Sequence, residues 1–145
     1  MEALLAFFLF ILLSPGLLVT LPPGNGSLVS SEATSNIAVI VHTVIFFVVN
    51  KFIQNDTLSL GYINKAVREV STNSIEVPVL LATILFTLLS PGFIVTIPPF
   101  TILSEQTNSL AIVLHGFLFY VLLRLFAAYK NEQPLKWIDE QLKKI

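Results

Sequence analysis

Four stretches of the chain carry no charged residue at all: 3–31, 33–50, 77–104 and 106–123. Each is as long as the roughly 17–25 helical residues that a bilayer core requires. This pattern predicts four transmembrane helices, at 3–22, 36–53, 77–98 and 109–129. The segments between and after them read differently. Ile63, Ala66, Val67 and Val70 recur at i, i+3, i+4 and i+7, and Leu135, Ile138, Leu142 and Ile145 form a similar stripe. That spacing puts the apolar side chains on one face of a helix. Two short amphipathic helices are therefore expected, at about 58–71 and 134–145. The predicted fold class is an all-α integral membrane protein.

The pattern also repeats. Residues 4–23 align with 80–99 without a gap, with 14 of 20 pairs identical, and 31–53 then align with 104–126. The repeating unit is a helical hairpin followed by an amphipathic helix, giving a first repeat at 1–73 and a second at 74–145. Each unit crosses the membrane twice, so the copies keep the same orientation and form a parallel repeat. Many secondary transporters use inverted repeats instead. A pseudo-two-fold axis along the membrane normal suits such a pair.

Composition sharpens this picture. The chain is 54% hydrophobic and only 12% charged, about half the charge usual for a soluble domain. Its mean hydropathy is +0.83. The first apolar stretch has Glu2 and no basic residue before it, unlike a signal peptide, and its near-copy is internal. Both are expected to be retained helices. Without cysteine, disulfides, thiolate metal sites and cysteine nucleophiles drop out. All eight basic residues (Lys51, Lys65, Arg68, Arg124, Lys130, Lys136, Lys143 and Lys144) fall in the middle connection, the tail or the adjoining helix ends. The positive-inside rule then assigns both termini and the middle connection to the cytoplasm. No basic tract suggests nucleic acid as a partner.

The chemistry-bearing residues sit in a repeated motif, Ser14-Pro15-Gly16 with Thr20, Pro22 and Pro23, and again Ser90-Pro91-Gly92 with Thr96, Pro98 and Pro99. A proline inside a helix removes one backbone donor and pushes away the carbonyl four residues back, here that of Ile11. The expectation is a kink at Pro15 and Pro91, close helix approach at Gly16 and Gly92, and helix termination at the proline pairs. His42 and His115 lie at matching depths on the returning helices. Each can donate to a freed carbonyl and accept from the Ser or Thr opposite, so His42, His115, Thr20 and Thr96 are expected to make interhelical polar contacts. Glu32 with Thr34, and Glu105 with Thr107, are expected to cap the returning helices. Proton transfer or metal binding at the histidines is the competing reading. It lacks a carboxylate within any span and enough ligands for a metal. No cofactor, metal or catalytic residue is assigned. Trp137 and the lysines near it suggest an interfacial position for the last helix. Ile63, Val67, Val70, Leu135, Trp137, Ile138 and Leu142 are the expected docking residues.

The pattern LLSPGLLVTLPPG followed by TSNIAVIVH resembles small hydrophobic membrane proteins of nucleocytoplasmic large DNA viruses, here as a tandem duplication. The matching residues are Ser14, Pro15, Gly16, Thr20, Pro22, Pro23, Thr34, Ser35 and His42. In the second copy they are Ser90, Pro91, Gly92, Thr96, Pro98, Pro99, Thr107 and His115. The resemblance implies a minor capsid-associated protein of the virion internal membrane, or of the host endoplasmic reticulum-derived membrane that becomes it. Its partners would be the lipid bilayer and capsid or other membrane proteins. The expected function is non-enzymatic and structural: organising the bilayer and docking to a protein shell through the cytoplasmic helices. The alternative is a small channel or transporter subunit, assembled as a homo-oligomer, that uses the broken helices and paired histidines.

Overall fold

The computed structural model describes residues 2–24, 27–29, 31–32, 34–55, 61–70, 75–98 and 100–145. It is mostly helical. In chain order the elements are α1 (Ala3–Leu13), β1 (Val19–Gly24), β2 (Ser27–Val29), α2 (Asn36–Gln54) and α3 (Gly61–Val70), then α4 (Val79–Leu89), β3 (Val95–Thr96), β4 (Thr101–Ile102), α5 (Ser109–Tyr129) and α6 (Leu135–Leu142). The order of elements in the first half recurs in the second, as the internal repeat requires.

Two helices, α2 and α5, are long and apolar enough to cross a membrane, rather than the four expected. The apolar stretches at 3–22 and 77–98 are each helical for only 11 residues. Pro15 and Pro91 do not kink a continuing helix; the helix stops before them. Ser14 and Ser90 leave the helical conformation, and Gly16 and Gly92 adopt φ of 95° and 91°. This left-handed conformation suits glycine and turns the chain out of its helical path. An extended segment follows, so the all-α expectation is also corrected. β1 pairs antiparallel with β2, and β3 with β4, in two small separate hairpins. Pro22 and Pro23 lie within β1 and end no helix; Pro98 lies in the turn after β3, and Pro99 lies outside the described residues. The first amphipathic helix is described from Gly61 to Val70; residues 58–60 and 71 of its expected span lie outside the described residues.

The two repeats interlock. α1 lies chiefly against α5, and α4 against α2, so each short helix rests on the long helix of the other repeat. Two equivalent pairs of phenylalanines, Phe10 with Phe86 and Phe46 with Phe119, are fully buried where the repeats meet. Phe46 stacks on Phe86 at 4.4 Å between ring centroids, and Phe10 tilts over Phe119 at 4.8 Å. Edge contacts between Phe10 and Phe86 and between Phe46 and Phe119 close the ring of four. Offset and edge arrangements of this kind are the favoured geometries of aromatic pairs.

One symmetric position is filled in two ways. Thr43 on α2 donates to or accepts from Thr87 on α4 at 2.9 Å. At the other crossing the matching residues are Gly116 and Ile11, and a Cβ at Gly116 would lie 3.0 Å from Ile11 Cγ1. A small residue facing a large one permits the same close approach as a hydrogen-bonded pair of medium size. A close approach therefore also occurs at Gly116, between helices, besides the one expected and found at Gly92.

At the end carrying the basic residues, Glu2 is buried and held from two sides. Its carboxylate accepts from the Ile75 amide at 3.0 Å and pairs with Arg68 Nε at 3.0 Å. Arg68 also pairs with Glu76, and the Ala3 amide donates to the Ile75 carbonyl. This ties α3 and the segment before α4 to the start of α1. Nearby, Asn50 is fully buried on α2, and neither of its amide atoms has a hydrogen-bond partner among the described residues. The equivalent position on α5 is a buried leucine, Leu123. Asn50→Leu is therefore expected to raise stability by about 1–2 kcal/mol, because it removes an uncompensated polar group. The midpoint of unfolding in detergent, followed by Trp137 fluorescence, checks this; an unchanged or lowered midpoint contradicts it.

Candidate functional site

At the end of the bundle away from the basic residues, the stop of each short helix creates a problem of hydrogen bonding. The last carbonyls of a helix have no partner further along it, and in an apolar setting such groups cannot be left bare. Two side chains solve it in each repeat. Ser14 Oγ donates to the Phe10 carbonyl at 2.6 Å, and Ser90 Oγ to that of Phe86 at 2.8 Å. The histidines serve the end of the helix itself. His42 Nδ1 lies 2.6 Å from the Leu13 carbonyl, and His115 Nδ1 lies 2.7 Å from that of Leu89.

The second nitrogen of each ring is also taken. The Leu21 amide donates to His42 Nε2 at 3.0 Å, and the Ile97 amide to His115 Nε2 at 3.1 Å. A carbonyl only accepts and an amide N–H only donates, so each imidazole is neutral with its hydrogen on Nδ1. The ring therefore bridges the end of the short helix to the strand that follows (Leu21 in β1) or to the residue just after it (Ile97 after β3), across the Ser-Pro-Gly turn. Both histidines are buried.

The sequence pattern placed the histidines opposite the motif, and the structure brings them there. The partners differ from those expected. The carbonyl served is that of Leu13, not Ile11, because the helix ends and exposes its last turn. The acceptor nitrogen takes a backbone amide, not Ser14 or Thr20. Thr20 Oγ1 instead pairs with Ser31 Oγ at 2.6 Å. Thr96 Oγ1 lies 3.3 Å from both Ser104 Oγ and the Gln106 carbonyl. The capping residues also move by one to three positions. Ser35 Oγ accepts from the Ala38 amide and Asn108 Oδ1 from that of Ala111, so these equivalent residues are the N-caps. Glu32 and Glu105 instead take left-handed backbone conformations, with φ of 52° and 53°.

Those two glutamates mark where the repeats cross. The Thr34 amide donates to the Glu105 carbonyl at 2.7 Å, and the Thr107 amide to the Glu32 carbonyl at 2.8 Å. The Glu32 amide in turn donates to the Gly16 carbonyl at 3.2 Å, and that of Glu105 to Gly92 at 3.1 Å. Each repeat thus hands one backbone bond to the other, directly over the two Ser-Pro-Gly turns. Thr34 Oγ1 adds a bond to the Pro15 carbonyl at 3.3 Å. A pair of identical exchanges is the mark of a two-fold relation.

The residues expected to dock lie at the opposite, basic end. On α3, Ile63 and Val70 are exposed and Val67 is half-buried; on α6, Trp137 is exposed while Leu135, Ile138 and Leu142 are half-buried. The sequence pattern missed Glu2, Arg68 and Glu76. The available signal was Glu2, the sole charge in the first 31 residues, which an apolar flank rarely carries without a partner.

No curated protein and no solved structure matches the chain. One family model does, and it matches twice, over residues 2–54 and 76–130. Each match covers one short helix, its turn and hairpin, and the long helix that carries the histidine. The chain, a tandem pair of these units, belongs to the family described as protein of unknown function (DUF3339).

Proposed function

We propose that the chain is a non-enzymatic structural membrane protein that organises a bilayer and docks to a protein layer through α3 and α6. In this proposal each repeat enters the membrane twice. The long helix spans it, and the short helix, about 16 Å long at 1.5 Å per residue, spans half of it and is continued by the turn and hairpin. Non-helical backbone is tolerated at such depth where protein satisfies it, which is the work that Ser14, His42, Ser90 and His115 do. Positive charge places the ends of the chain, α3 and α6 in the cytoplasm.

The observation that carries the docking is the apolar face left open on α3, where Ile63 is 46% and Val70 80% exposed beside Tyr62 at 80%. The structural reading is favoured over a channel or transporter because both nitrogens of each histidine are already bonded to backbone. The family match carries neither a function nor a source. The proposed layer is therefore defined by its chemistry, an apolar groove with acidic residues for the flanking lysines. A capsid beneath a virion membrane is the instance that the viral resemblance implies.

The test is sedimentation of native membranes stripped with mild detergent. The chain is expected to pellet with a large protein assembly. The substitutions Ile63→Glu, Val67→Glu, Ile138→Glu and Leu142→Glu together should release it while leaving membrane insertion intact. Pelleting that survives all four changes, or release of the parent chain with the lipid, defeats the proposal.

A further inference from the structure

At the basic end, a cavity of about 240 Å³ opens between the end of α2, the start of α4 and the chain beyond α6. Four lysines line it: Lys51, Lys130, Lys143 and Lys144. They come from three separate parts of the sequence, so only the folded chain gathers them. The one acidic side chain in the lining, Glu76, is engaged by Arg68, which also pairs with Glu2. Lys143 pairs with Asp139 at 2.6 Å, and Lys51 Nζ donates to the Ile145 carbonyl at 3.1 Å. Lys130 has no ion pair among the described residues. Gln54 adds a further polar group, and Phe47, Val79, Leu80 and Leu142 form an apolar part of the wall.

We infer that this cavity binds the phosphate headgroup of an anionic phospholipid. Asp139 balances Lys143, and Arg68 is shared between Glu2 and Glu76, but Lys51, Lys130 and Lys144 still outnumber the acidic groups at the cavity and leave it an excess of positive charge. A phosphate, with several acceptor oxygens, matches several lysine donors at once. The apolar wall gives the first methylenes of an acyl chain a surface that a free anion would not use. The volume is below the roughly 300–1,000 Å³ of pockets for larger organic ligands, and it suits a small headgroup. Its place is also right: basic pockets between helices at the cytoplasmic boundary are where anionic lipid headgroups settle. This inference rests on the proposed membrane placement, with the basic end at the bilayer surface.

The experiment is native mass spectrometry of the full chain in an uncharged detergent, titrated with phosphatidate, with phosphatidylcholine and with inorganic phosphate. One phosphatidate per chain is expected to be retained, with about tenfold preference over phosphatidylcholine. Lys51→Gln with Lys130→Gln should weaken it by about tenfold, the factor expected from two lost lysine–phosphate contacts. Lys65→Gln with Lys136→Gln, which lie outside the cavity, should leave it unchanged. If the first pair disturbs folding, as read by Trp137 fluorescence, the exposed Lys144→Gln alone should still weaken binding by about threefold. Equal retention of the two lipids, equal loss in both double variants, or no effect of Lys144→Gln where that variant is needed overturns the inference. Displacement of the lipid by millimolar inorganic phosphate overturns the lipid as the source. A chain recovered in soluble form without detergent would instead defeat the membrane placement itself.

Discussion

Replacing His42 and His115 together by alanine is expected to cause the largest loss of stability of any pair of substitutions in this chain. Each change strands a helix-end carbonyl, Leu13 or Leu89, and a backbone amide beyond the turn, Leu21 or Ile97. A buried backbone group left without a partner costs about 1–3 kcal/mol. Measured interhelical polar bonds within membranes contribute less, about 0.6 kcal/mol on average, because the unfolded chain finds other partners there. Here the partners are fixed backbone atoms on both sides of a turn, so the higher range applies. About 2–4 kcal/mol per histidine is expected. The check is the unfolding midpoint in detergent, read from Trp137 fluorescence, for each single variant and the double. His42→Gln should recover part of the loss, since an amide offers both a donor and an acceptor. A double variant with an unchanged midpoint would mean that the clamps add nothing.

The second large effect is expected at Gly92. Its φ of 91° is one that residues with a side chain adopt only at a cost, about 1–2 kcal/mol. The added Cβ of Gly92→Ala would also lie 2.8 Å from the Gln106 carbonyl oxygen and 3.0 Å from Thr34 Cβ. Gln106 lies beside Glu105 and Thr107, which carry the bonds between the repeats, and the Thr34 amide donates one of them. Relief of the clash therefore moves the crossing itself. A total loss of about 3–5 kcal/mol is expected, in the range of the more damaging single substitutions. Gly116→Ala is the control. Its Cβ meets side-chain atoms only, the nearest being Ile11 Cγ1 at 3.0 Å, and a side chain gives way more easily than backbone. If both substitutions cost the same, the backbone crossing is not what makes Gly92 essential.

These two predictions bear on how the repeats are joined. The exchange of amide bonds between Thr34 and Glu105, and between Thr107 and Glu32, is symmetric. The contacts deeper in the bundle are symmetric in position but not in residue type. Thr43 with Thr87 answers to Gly116 with Ile11, and buried Asn50 answers to buried Leu123. A single unit pairing with itself would place the same residues at both crossings. Joining two units in one chain lets each crossing adjust by itself, and these differences are the result.

By itself the sequence determined the repeat, the two long apolar helices, the amphipathic α3 and α6, and the opposition of each histidine to a Ser-Pro-Gly motif. All of these are local or periodic: charge-free length, helical spacing, and the alignment of one half on the other. It did not determine that α1 and α4 stop at Leu13 and Leu89, because a proline in an apolar run is equally compatible with a kinked helix. What ends them is a left-handed glycine together with partners for the freed backbone, and those partners lie far away in sequence. His42 is 29 residues from the carbonyl that it serves. Likewise, no periodicity shows that α1 rests on α5 and α2 on α4, since both repeats offer the same apolar faces. Tertiary structure made that choice by enclosing four phenylalanines in one cluster and by exchanging the Thr34–Glu105 and Thr107–Glu32 backbone bonds between the repeats. The clustering of Lys51, Lys130, Lys143 and Lys144 around one cavity follows from it, because that chain path brings α4 and the chain beyond α6 against the end of α2.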